Sequence, residues 1–208
     1  MFTPGRFALP VSLLLLETVA ASFAGAAGLE VHIHNDAELK RTTLDRCMSQ
    51  LRTILVLAGA AVDIRLCQGG EGAVACEHPS GGVRVVDLRI LPGIAQKMRN
   101  VRRPPLGQSV ASETGGVYAI VFLASVQQQA AASNIPWTTL VAYASAHEIG
   151  HLLLGANAHT LNGVMKANWD AKDMRAMFQN AVHFNREQQF AIANCCGGLG
   201  GSESADIR

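Results

Sequence analysis

The chain has 208 residues, which suits one domain of ordinary size. Hydrophobic residues make up 49% and charged residues 16%, a balance that excludes a disordered chain. Formal net charge is +1, with Lys and Arg spread along the sequence, so the clustered basic face that nucleic-acid binding needs is missing.

At the N-terminus, Arg6 precedes an apolar stretch over residues 7–16, and Ala24-Gly25-Ala26 follows as a small-residue cleavage pattern. This reads as a secretory signal over residues 1–27, since a membrane span needs roughly 20 apolar residues. No later stretch is long enough to cross a membrane, so the expectation is a soluble monomer, secreted or periplasmic. Residues 28–196 are then one domain, and the Gly/Ser-rich residues 197–208 a disordered tail.

Residues 29–34 alternate Leu29, Val31 and Ile33 with Glu30, His32 and His34, the period of a half-buried strand. On this reading His32 and His34 are exposed polar positions of a sheet edge rather than metal ligands. Asn35 and Asp36 can cap the helix that Leu44, Cys47, Met48, Leu51, Ile54 and Leu55 mark to about Gly59. Strands follow at residues 62–66 and 83–91, the latter closed by Pro92-Gly93. Residues 97–105 are basic with two prolines and read as an exposed loop. A short edge strand is expected at 107–112, and an almost wholly apolar strand at 117–123. Residues 125–132 suit a short helix. Pro136 suits the start of a long one, which stops at Gly155. Asn185 and Gln188 form a capping box for a last helix over 186–194.

The expected fold is therefore α+β with α/β character: a mixed twisted sheet of four to five strands, a backing helix, an active-site helix and a C-terminal helix. Five cysteines in an exported chain raise disulfides, and Cys67 and Cys76 bracket a Gly-rich loop that a bridge would restrain. Cys47 fits a small buried apolar position.

Chemistry concentrates on the long helix. His147 and His151 are four residues apart, one turn along the same face, so both imidazoles can reach one ion. Glu148 adjoins that face, where a carboxylate acts as general base without being a ligand. Zinc lowers the pKa of a bound water to about 7 and polarises a carbonyl. Catalytic zinc sites use three protein ligands and keep one position open. Gly155 lets the chain turn, and His159 follows, giving H-E-x-x-H-x-x-x-G-x-x-x-H. Gly163-Val164-Met165 comes next.

His147, Glu148, His151, Gly155, His159 and Met165 together resemble the zinc motif and Met-turn of the metzincin clan of metallopeptidases. Residues 147–169 are also similar to a group of small exported bacterial proteins with the same HEIGHLLLG, His and G-x-M elements. The resemblance implies zinc bound by His147, His151 and His159, with Glu148 as base. It makes Met165 the apolar floor and a metzincin-like arrangement the fold. The usual motif has two fewer residues before its third histidine, and that spacing falls here on Asn157. Asp170 and Asp173 are the alternative third ligands. The implied activity is hydrolysis of a peptide or protein substrate, extended along the edge strand at 107–112. The alternative is a non-catalytic secreted zinc protein.

Overall fold

The alternation along residues 29–34 predicts that Leu29, Val31 and Ile33 share one side of a strand, and all three are buried. The computed structural model describes residues 28–67, 76, 83–93, 104–112 and 115–197. The signal at 1–27, the Gly-rich loop at 68–72, most of the basic loop (residues 97–103) and the tail at 198–208 lie outside the described residues.

Among the described residues, five strands form one mixed sheet: β1 (Leu29–His34), β2 (Val62–Cys67), β3 (Arg84–Leu91), β4 (Gly107–Ser112) and β5 (Gly115–Phe122). Their spatial order is β2-β1-β3-β5-β4. The first four of these run parallel, and β4 pairs antiparallel to β5 at the edge. Among the described residues, five helices accompany the sheet: α1 (Arg41–Leu57), α2 (Leu123–Ser133), α3 (Trp137–Leu154), α4 (Ala171–Phe178) and α5 (Arg186–Cys196).

In-register partners on neighbouring strands point to the same side of a sheet. Val31, Val86, Leu88, Ala119 and Val121 thus join Leu29 and Ile33 in the apolar core beneath the helices. Helix α1 buries Leu44, Cys47, Met48, Leu51, Ile54 and Leu55, the stripe its sequence predicts. Helix α3 is apolar nearly all round because it is central, in contact with β4, β5 and all four other helices. Its C-terminal Leu152 carbonyl accepts a hydrogen bond from the Arg84 guanidinium at 2.6 Å. Gly155 ends it with φ +97°, a left-handed value that favours glycine.

Two expectations are corrected, and one helix is added. Strand β1 is flanked by β2 and β3, so His32 and His34 are not on a sheet edge. His32 is 0% exposed and its Nε2 lies 2.7 Å from the Glu30 carboxylate, while His34 Nε2 lies 2.8 Å from Asp87. That polar period-2 face is instead a hydrogen-bonded network in which Glu30 and His32 are buried and His34 half-buried. Secondly, α1 begins after Lys40 with no side-chain cap. Asn35 instead exchanges hydrogen bonds with the Leu39 backbone, and Asp36 pairs with Arg89. The added helix is α4, which has no counterpart among the elements expected from the sequence. It starts at a capping box in which Asp170 and Asp173 each accept from the other's backbone N–H.

Cys67 and Cys76 form a disulfide, with Cα atoms 5.5 Å apart. Cys47 is buried and free, and burial pushes its thiol up to about 11. Among the described residues, no helix is long and apolar enough to cross a membrane.

Candidate metal centre

His147 and His151 project from one face of α3, and the turn after Gly155 brings His159 to them. Their Nε2 atoms are 3.2 Å (147–151), 3.0 Å (151–159) and 3.3 Å (147–159) apart. Zinc bound tetrahedrally by imidazole at about 2.0–2.1 Å has ligand–ligand edges of about 3.3–3.4 Å. The three nitrogens therefore stand at nearly the spacing of one face of such a tetrahedron.

Proton placement strengthens the fit. His147 Nδ1 lies 2.8 Å from the Val164 carbonyl oxygen, and His151 Nδ1 lies 3.3 Å from that of Gly155. A carbonyl only accepts, so each Nδ1 carries the proton and each Nε2 presents a lone pair. Lone pairs converging at 3.2 Å repel unless a cation lies between them. Burial also holds His147 down at about 4 and lowers His151, keeping both imidazoles neutral as metal ligation requires. The donor set fits zinc.

Backbone contacts set the loop that returns His159. The Thr160 N–H donates to the Met165 carbonyl at 2.9 Å, and Thr160 and Lys166 form an isolated parallel bridge. Gly163, at φ +83°, and the Val164 N–H both approach the His183 carbonyl, which ties this turn to the segment before α5. Gln188 on α5 donates to the Ala158 carbonyl at 3.0 Å. Met165 is fully buried against Gly150, the one position between the two helical histidines with no Cβ in the way. Trp169 meets the His147 ring edge-on at 5.4 Å.

The downstream carboxylates are elsewhere engaged. Asp170 and Asp173 cap α4, and both pair with Lys166. The structure brings His159, not either aspartate, to His147 and His151.

Glu148 is 7% exposed, and burial pushes its carboxyl up to about 7, against the opposing effect of a hydrogen bond from Ser109. It lines a cleft of about 520 Å³ together with the three histidines, Gly107, Ser109 and Trp169. The cleft runs beside edge strand β4. A neutral three-imidazole face, an adjacent buried carboxyl and room for a ligand suit metal-assisted hydrolysis.

Gly107, Ser109, Gly150 and the Thr160–Met165 bond were not identified from the sequence. Gly150 is visible inside H-E-I-G-H, but its role depends on which side chain packs over it. Nothing in the sequence marks the two β4 residues as neighbours of Glu148.

No protein-family model matches the chain, and no curated protein matches it. Among solved structures, the chain is similar to archaemetzincin from Methanopyrus kandleri, at 14% identity and a TM-score of 0.49, over 80% of this chain and 94% of that one.

Proposed function

We propose that the protein is an exported zinc-dependent metallopeptidase, secreted or periplasmic, acting on a peptide or protein substrate. The observation that carries this reading is the convergence of three imidazole Nε2 atoms, 3.0–3.3 Å apart, in a cleft that also holds a buried carboxyl. The H-E-x-x-H helix, the glycine turn and the buried methionine support it through their resemblance to the metzincin clan.

His147, His151 and His159 would hold the ion. Bound there, zinc would make water nucleophilic near neutral pH and polarise the scissile carbonyl. Glu148 would accept a proton from the attacking water and deliver it to the leaving amine. The peptide would lie along the edge strand β4, taking main-chain hydrogen bonds on its unpaired side. The disulfide Cys67–Cys76 is compatible with an oxidising, extracytoplasmic location.

The test is zinc content and hydrolysis of a quenched-fluorescent peptide library by the purified protein and by Glu148→Ala. The expected result is one zinc per chain in both, with turnover falling about 10²–10⁴-fold in the variant. Zinc in both proteins with hydrolysis in neither would point to a non-catalytic zinc-binding protein. Equal turnover by the two would sink the assigned base.

A further inference from the structure

The strand beside the metal centre bears on Glu148 itself. Gly107 and Ser109 are two apart on β4, opposite Val121 and Ala119 of β5, so both face the side of the sheet that carries α3. Gly107 does not have the positive φ that would itself demand glycine. Its requirement is steric. A Cβ there would stand 2.6 Å from Glu148 Cγ, 2.8 Å from Glu148 Oε1 and 2.7 Å from the Ile120 carbonyl oxygen. The Ile120 carbonyl belongs to the β5 backbone and cannot yield without disturbing the sheet. Relieving the two Glu148 contacts needs that side chain to move, and the Ile120 contact adds strain on the β4–β5 pairing. From Ser109, a side-chain hydrogen bond reaches the same carboxyl. All three residues line the cleft with the histidines.

We infer that Gly107 and Ser109 are positioning residues for Glu148: the first leaves the space its carboxyl occupies, and the second orients that carboxyl within the cleft. The inference rests on the reading of Glu148 as general base. Strand β4 thus has two roles, since the edge that would receive substrate also aims the base. A Cβ at 107 displaces the Glu148 carboxyl, and none of the three atoms nearest to it belongs to a histidine. Loss of the Ser109 hydroxyl leaves the carboxyl in place but free to rotate.

The experiment uses the purified protein, Gly107→Ala, Ser109→Ala and Ser109→Thr, each loaded with zinc. The probe is acetohydroxamate, which chelates zinc through two oxygens and shares its proton with a carboxylate beside the metal. Expected are one zinc per chain throughout and acetohydroxamate binding weakened tenfold or more in Gly107→Ala. Binding should weaken severalfold in Ser109→Ala and return in Ser109→Thr. On a peptide the parent protein cleaves, kcat should fall with KM little changed. Wild-type affinity in Gly107→Ala with zinc retained overturns the inference and leaves the metallopeptidase reading standing. Should Gly107→Ala lose zinc or unfold, the Ser109 pair decides: unchanged affinity in Ser109→Ala overturns it. A wild-type protein that takes up no zinc overturns the reading itself.

Discussion

His147 Nδ1 lies 2.8 Å from the carbonyl oxygen of Val164, the residue immediately before Met165. That contact selects the tautomer of the first helical histidine and ties its ring to the turn beneath it. One residue further on, the Met165 carbonyl accepts from Thr160, next to His159. Residues 164–165 thus hold two of the three histidines through main-chain atoms. Such contacts are insensitive to side-chain identity but sensitive to the path of the turn.

Zinc should stabilise the folded chain by mass action. At free zinc about 100 times its Kd the gain is about 2.7 kcal/mol. For a domain of this size, each kcal/mol is worth about 2–4 °C. A melting temperature raised by about 5–11 °C is expected, reversed by chelator and read by calorimetry. His159→Ala should remove most of this rise. His183→Ala, at an exposed position outside the cluster, should keep it. An equal rise in all three proteins would place the ion elsewhere.

Gly150 should tolerate no Cβ while Met165 lies over it. A methyl there meets Met165 Sδ first and then Phe184 Cε1 at 3.1 Å. Overpacking of this kind costs about 1–3 kcal/mol, against about 1 kcal/mol gained from alanine's helix propensity. Met165→Ala alone leaves a cavity and should cost about 2–5 kcal/mol. The double variant should be more stable than the sum of the single losses, because the clash and the void offset each other. Denaturant unfolding gives the cycle, and strict additivity would contradict the packing.

Opening the Cys67–Cys76 bridge should cost stability without cost to the metal site. The two residues are separated by 9 positions, and closing a loop of that size is worth about 2.7 kcal/mol in the chain-entropy model. Cys67→Ala/Cys76→Ala should lower the denaturation midpoint accordingly and still bind one zinc. Loss of zinc binding in a folded double variant would show that the bridge shapes the site.

The three remaining cysteines should differ in alkylation. Burial raises the Cys47 thiol to about 11, so it stays protonated and inert up to pH 9 in the native state. The Cys196 side chain stabilises the exposed Cys195 thiolate and lowers that group to about 7. A lowered thiol pKa means more thiolate as pH rises through that value. Iodoacetamide labelling of Cys195 should therefore climb between pH 6 and 8, followed by mass spectrometry of peptides. Cys47 should label only on unfolding, and native labelling at pH 7 would contradict its burial.

Most of the fold was legible because it is local. Strand and helix periods, Pro136, Gly155 and the Asn185–Gln188 capping box are short-range signals, and the structure has an element at each. Helix α4 is not legible in the sequence because it is short and its capping box uses Asp173 where glutamate or glutamine is the usual signal. The same two aspartates are candidate ligands by sequence alone, and only the fold engages them with Lys166 and the start of α4. The burial of His32 is not legible in the sequence, because an alternating polar face has the same pattern whether it meets water or buried hydrogen-bond partners.

By itself the sequence determined that His147 and His151 share a helical face with Glu148 beside them, since four-residue spacing on a helix is fixed geometry. It also determined where that helix ends. Only the tertiary structure decided which later residue joins the two histidines, because the chain beyond Gly155 can take many paths. The Thr160–Met165 and Val164–His183 hydrogen bonds select one of them. Tertiary structure likewise decided what holds Glu148. Gly107 and Ser109 lie some forty residues upstream, and only the packing of β4 against α3 brings them to its carboxyl.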